Sequence, residues 1–208
     1  MITLCEPPGS YQQLCELLHL NSGVPYSEHW SAAADFLKLL VDEVIIRGPQ
    51  SIVECGSGVS TLMLAAACRE NGGGSVASLE HQHEYASDMR DVIAAYELQE
   101  FAKIIDAPLV DTHLNDRAYQ WYSLEKMDQH SIDMLVIDGP PGKLQRHSRY
   151  PALPLFYQCF AKGATILLDD AARADEQEIA RSWQSEFKNL NGNFIDNERG
   201  CFRLVYGQ

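Results

Sequence analysis

An α/β sandwich on a mostly parallel, seven-stranded sheet is the fold that this 208-residue sequence predicts. Three observations predict it. Short apolar runs alternate with helix-patterned segments, which gives parallel strands joined by crossover helices on both faces. Five of those runs end in an acid, at Glu54, Glu80, Asp106, Asp138 and Asp169. Ligands of such sheets bind beyond the carboxyl ends of the strands, so a row of strand-end acids reads as a site. The last two runs flank Asn197-Glu-Arg-Gly200 with no helix between them, a closing antiparallel hairpin.

Residues 1–26 carry turn signals at Pro7-Pro8-Gly9 and Asn21-Ser22-Gly23 around a short helix at 11–20. They are expected to cap a core formed by residues 27–208. The first full helix starts at Ser27, a good N-cap, with Glu28 in its first turn. Trp30, Ala33, Ala34, Leu37, Leu40, Val41, Val44 and Ile45 fall on one face of it, and Gly48-Pro49 stops it. A strand at 51–55 and a helix at 60–69 follow, then a loop at Asn71-Gly-Gly-Gly74. A strand at 75–80, a helix at 84–98 and a strand at 101–106 come next. Residues 111–123 are polar and aromatic without a clear period, and read as part of a lid. The run 132–138 is nearly all apolar, as in a strand buried on both faces. Residues 149–162 read as a helix, with Pro151 and Pro154 in its first turn and Gly163 at its end. A buried strand at 164–168 precedes Asp175-x-x-Glu178, which looks like a capping box for a helix through 187. Residues 193–195 and 201–206 form the hairpin. There is no internal repeat, linker or low-complexity stretch, so residues 1–208 are expected to form one domain.

Composition narrows the class. Acids outnumber Lys and Arg by 29 to 16, for a net charge of −13, and the basic residues are scattered singly. Such a field repels phosphate backbones and anionic bilayers, which excludes nucleic acid and membrane surfaces as partners. No apolar run approaches about 18 residues, and the N-terminus lacks a basic leader. The six cysteines form no C-x-x-C pair and read as free thiols in a reducing cytoplasm. The amphipathic N-terminal segment suits a homodimer interface or a self-packed cap equally.

The chemistry concentrates at Ser51-Ile-Val-Glu-Cys-Gly-Ser-Gly58. It reads as a strand, a tight glycine turn and a helix start, the geometry that lays a nucleotide-like ligand against backbone. A dinucleotide fingerprint would need a third glycine at position 61, where Thr61 stands. Glu54 just ahead of the glycines sits badly beside a pyrophosphate and suits a cationic ligand.

The segment Val53-Glu-Cys-Gly-Ser-Gly58 resembles the glycine-rich motif of class I S-adenosylmethionine-dependent methyltransferases. The order of acidic strand ends extends the likeness over residues 27–206. The resemblance implies a Rossmann-like three-layer sandwich and S-adenosylmethionine as cofactor, whose amino group and sulfonium are both positive. It implies that Glu54, Gly56 and Gly58, with Ser57 and Ser60 beside them, hold the methionine portion. Glu80 would accept the ribose hydroxyls, with His81 bordering the cofactor. Asp106 and Ala107 would flank the adenine, and Asp138 would close the site. The implied activity is methyl transfer, of the EC 2.1.1 type, to an oxygen of a small-molecule acceptor.

On the acceptor side, Asp138-Gly-Pro-Pro-Gly142 makes a shaped loop over the sheet. Beyond it, His147 offers a general base and Arg149 a partner for an acidic acceptor. Trp121, Tyr122 and Tyr150 suit a planar one. Asp138, Asp169 and Asp170 resemble the metal ligands of catechol-type and caffeoyl-coenzyme-A-type O-methyltransferases. That likeness implies a Mg or Mn ion there, with Asp138 and Asp169 also catalytic. The Asp-Asp pair departs from that family's Asp-Asn, and the Gly-Pro-Pro-Gly loop is not theirs. Arg173 offers a competing partner for one carboxylate. Two other functions fit the same plan. A nicotinamide-dependent oxidoreductase is opposed by Thr61 and by the lack of a second catalytic domain. A catalytically inactive binding protein is opposed by Glu54 and Glu80, which an idle site has no need of.

Overall fold

The computed structural model describes residues 2–128 and 131–207. The chain runs through α1 (Gln12–Leu17), α2 (Ala34–Arg47), β1 (Ser51–Cys55), α3 (Val59–Glu70), β2 (Ser75–Glu80), α4 (His83–Ala95) and β3 (Ala102–Asp106). It continues through β4 (Leu109–Leu114), β5 (Arg117–Tyr122), β6 (Ile132–Ile137), α5 (Ala152–Phe156), β7 (Phe160–Leu168), α6 (Ala174–Glu186), β8 (Leu190–Ile195) and β9 (Cys201–Tyr206). Seven strands form one sheet in the order β3-β2-β1-β6-β7-β9-β8. Pairing is parallel from β3 to β7, and β9 lies antiparallel between β7 and β8. The chain builds outward from β1 to β3, then crosses back to β6. The switch point therefore lies between β1 and β6, where open α/β sheets bind their ligands.

Alternation along the strands feeds two cores. Ile52, Met134, Val136 and Leu167 pack on the side of α2, α3 and α4. Val53, Leu135, Ile137, Ile166 and Leu168 pack on the other side, with Trp121, Trp183 and Phe156. On α2, Phe36, Leu37, Leu40, Val41 and Val44 are fully buried, and each such side chain contributes about 1.5–3 kcal/mol by leaving water. Tyr11, Leu14, Leu18 and Val24 join the same core, so the N-terminal segment is packed into the body of the protein.

Four local expectations change. The helix expected from Ser27 starts at Ala34, because the Tyr11 hydroxyl takes the Ala32 carbonyl that a longer helix would use. Trp30 is thereby left off the helix and 61% exposed. The segment read as part of a lid at 111–123 falls in an ordered hairpin, Leu109–Leu114 with Arg117–Tyr122, turning on Asn115 and Asp116, both with positive φ. The helix expected at 149–162 shrinks to α5, and β7 begins at Phe160. Gly163 then lies inside a strand, at φ +86°, where pairing with β6 slips between Ile132 and Met134. Asp175 and Glu178 do not box the N-terminus of α6, since they serve the loop around His147.

Candidate active site

Register decides which side chains meet. Ile137 is level with Cys55 on β1 and with Leu168 on β7. The chain therefore leaves three adjacent strands side by side at Gly56, Asp138 and Asp169. A cavity of about 710 Å³ opens there. Gly56–Ser60 line it after β1, Glu80, His81 and Gln82 after β2, Asp138 and Gly139 after β6, and Asp170 after β7. Trp30, Lys143, Arg173 and Arg199 stand around it.

The glycine turn is fixed from below. Gly56 takes φ +101°, a conformation costly for any side chain bearing a Cβ. Its carbonyl lies 2.6 Å from the Ser78 hydroxyl, which is also 2.8 Å from Glu54 Oε2. Thr61 donates to the same Glu54 oxygen and receives the Gly58 N–H at 3.0 Å. The residue that breaks the dinucleotide fingerprint therefore ties the turn to the strand-end acid. Glu54 is completely buried, lies beneath the cavity lining, and its Oε1 has no hydrogen-bond partner among the described residues. Burial raises its pKa to about 7, against the pull of the hydroxyls of Ser60, Thr61 and Ser78.

Glu80 shows the opposite balance. It is 5% exposed and faces the cavity. Ser57 donates to Oε2 at 2.8 Å and the Gln82 N–H to Oε1 at 2.9 Å. His81 Nδ1 lies 3.1 Å from Oε1, at ion-pair distance but out of line for a hydrogen bond. Burial pushes this acid up, yet the surrounding donors prevail and hold it below the usual carboxylate range. A charged acceptor is thus preorganised beside Gly56 and Ser57. His81 lies edge-on to Tyr122, which lines the same wall.

At the other end, three aspartates and a guanidinium form one network. Asp138, Asp169 and Asp170 each place an oxygen within 4.8 Å of the others. Arg149, only 3% exposed, lies among them. Its Nη2 donates to Asp138 Oδ1 at 3.1 Å, to Asp170 Oδ2 at 2.9 Å and to the Asp138 carbonyl at 2.7 Å. Its Nη1 donates to the Asp169 carbonyl at 2.9 Å. Arg173 adds a second cation 2.9 Å from Asp170. Burial raises Asp138 despite Arg149, and the residue lines the cavity with its side chain 23% exposed. Burial pushes Asp169 well above the usual carboxylate range, helped by Asp138 and Asp170. Both of its carboxyl oxygens lack partners among the described residues.

Several sequence candidates lie elsewhere. The His147 ring is 2.8 Å from Glu178, with Arg146 on the same carboxylate, and does not line the cavity. Asp169 lies under the floor and does not line the cavity either. Asp106 is taken up by Arg90 at 2.6 Å and His83 at 2.9 Å, and Ala107 is core. Trp121 and Tyr150 are also core, and the cavity's aromatic walls are Trp30, Tyr85 and Tyr122. Tyr85, Glu176 and Arg199 line the cavity without a sequence signal that singles them out.

Comparison with known proteins follows this geometry. A family model described as a methyltransferase domain matches residues 53–171. None of the curated proteins matches the sequence. Among solved structures, the chain is similar to the S-adenosylhomocysteine-bound Podospora anserina methyltransferase PaMTH1, with a TM-score of 0.68 at 13% identity, covering 99% of this chain and 91% of that one. It is similar to the O-methyltransferase from Bacillus cereus in complex with S-adenosylhomocysteine, at 0.65 and 17%, over 98% and 93% of the two chains. The O-methyltransferase TomG from Streptomyces achromogenes, in complex with S-adenosylmethionine, gives 0.65 at 13%, over 100% and 93%. At such identities the likeness is one of fold.

Proposed function

This chain belongs to the methyltransferase-domain family, and from that premise we propose that it transfers the methyl group of S-adenosylmethionine to an oxygen of a small, negatively charged acceptor. One observation carries the reading: the glycine turn, the hydrogen-bonded Glu80 and Asp138 share one cavity at the switch point. The turn Gly56–Ser60 would receive the methionine portion, and Glu80 the ribose hydroxyls. Glu54 supports the turn from below. The cavity volume admits a nucleoside cofactor and a small acceptor together.

Methyl transfer from a sulfonium is an in-line displacement, so alignment and exclusion of water do most of the work. A hydroxyl acceptor must also lose a proton. Asp138 is a cavity carboxylate placed to take it, because Arg149 bonds to Oδ1 and not to Oδ2. The acceptor's charge is argued from the rim. Lys143 lies over the Trp30 ring at 4.8 Å, and neither Lys143 nor Arg199 makes an ion pair among the described residues.

Calorimetry with S-adenosylhomocysteine tests the cofactor, and the absence of heat at millimolar ligand would end the proposal. A panel of hydroxylated aromatic acids and their neutral amides, assayed with methyl-labelled cofactor, tests the acceptor. Turnover is expected for the acids. Preference for the amides would remove the role given to Lys143 and Arg199.

A further inference from the structure

The acidic cluster at the carboxyl ends of β6 and β7 suits a hard divalent cation in number and spacing, and the orphaned oxygens of Asp169 favour one. The guanidinium decides against it. Asp138 Oδ1 and Asp170 Oδ2 both turn to the same nitrogen, Arg149 Nη2. An ion sharing those oxygens at about 2.0–2.6 Å would stand in the place of that nitrogen or within a few ångström of it. Arginine cannot discharge to make room, and two positive groups so close repel strongly in a dry pocket. Arg149 cannot swing aside cheaply either. Its other bonds go to the carbonyls of Asp138 and Asp169, so it also ties the ends of β6 and β7 together. Asp138 and Asp170 already face cations, Arg149 and Arg173.

We propose that Arg149 is the permanent cation of this site, that it stands where a divalent ion would otherwise sit, and that Asp138, Asp169 and Asp170 take up no metal. The proposal rests on the reading of the cavity as a methyltransfer site only for its purpose. As a positioning residue, Arg149 keeps one Asp138 oxygen occupied and the other directed to the acceptor. It also supplies the fixed positive potential that a bound ion would bring to an acceptor oxygen.

The test uses Mn²⁺ alone, followed by the loss of its free-ion electron paramagnetic resonance signal on titration with the full chain. The wild type is expected to leave the signal unchanged, with or without S-adenosylhomocysteine. Uptake that persists unchanged in Asp138→Asn lies elsewhere on this acidic protein and also supports the proposal. Uptake of one ion per chain that Asp138→Asn abolishes overturns it. Arg149→Met is expected to bind Mn²⁺ at least about a hundredfold more tightly than the wild type, the order that removing a fixed cation a few ångström away would give. If that variant folds and gains nothing, Arg149 is not what excludes the ion and the proposal fails. Should it not fold, the wild-type and Asp138→Asn titrations still decide. Calorimetry with S-adenosylhomocysteine on the same samples reports separately on the cofactor reading.

Discussion

Glu54 has no exposed surface and meets hydroxyls where a cation would be expected, so burial raises its pKa to about 7. In the unfolded chain it titrates near its ordinary value of about 4.3. The folded protein therefore binds this proton more tightly than the unfolded one, and stability falls as pH rises from about 4.5 through about 7, then levels off. A shift of this size corresponds to about 3 kcal/mol. Urea unfolding of the wild type and Glu54→Gln at pH 5 and pH 8 isolates the effect, because other titrating groups cancel in the difference. The wild type is expected to lose about 3 kcal/mol relative to the variant, and parallel behaviour would show that Glu54 is not held as a neutral acid. Glu80 makes the contrasting case. Its oxygens are charged, donor-rich and open to the cavity, so Glu80→Ala should weaken S-adenosylhomocysteine binding by about 1–3 kcal/mol while leaving the fold intact. An unchanged affinity would place the ribose elsewhere. Both residues were legible in the sequence as strand-end acids, but their difference was not. It depends on Ser78 and Thr61 closing over one carboxyl while the other stays on the surface of a cavity. Arg149 was visible too, as a partner for an acidic acceptor. Its capture by Asp138 and Asp170 depends on strands that become neighbours only through the sheet order.

Elements followed the sequence wherever hydrophobic period and strand-end chemistry agreed. Every strand of the main sheet overlaps a run that predicted it, although β7 begins at Phe160 and β8 at Leu190, ahead of the expected 164 and 193. Failures arose where one residue type serves two structures. Asn115-Asp116 turns the β4–β5 hairpin with two positive φ angles, yet its flanks alternate too weakly to announce strands. Gly163 was taken for a helix stop. It is instead the left-handed residue that lets β7 absorb extra chain against β6, a bulge. A Cβ at Gly163 would meet nothing closer than Arg47 Nη2, at 3.9 Å. Gly163→Ala therefore has no steric cost and isolates backbone strain, expected at about 1–2 kcal/mol by urea denaturation.

On the scale of the whole molecule, the cavity joins two halves of the sheet that the chain builds separately. Gly56–Ser60 and Glu80 come from the β1–β3 half, Asp138 and Asp170 from the β6–β7 half. A ligand touching both must lose all its contacts when either half unfolds, so its binding energy adds to global stability and not to one loop. At one hundred times its dissociation constant, S-adenosylhomocysteine should add about 2.7 kcal/mol. For a chain of this size each kcal/mol moves the melting midpoint by about 2–4 °C, which gives a rise of about 5–10 °C. NADH should give none, since Thr61 fills the position where a pyrophosphate needs close approach and its hydroxyl is committed to Glu54. Differential scanning calorimetry with both ligands separates the two readings. A rise with NADH and none with S-adenosylhomocysteine would favour the oxidoreductase. A rise with S-adenosylhomocysteine that Glu80→Ala reduces would tie the effect to the ribose acceptor and so to both halves of the sheet.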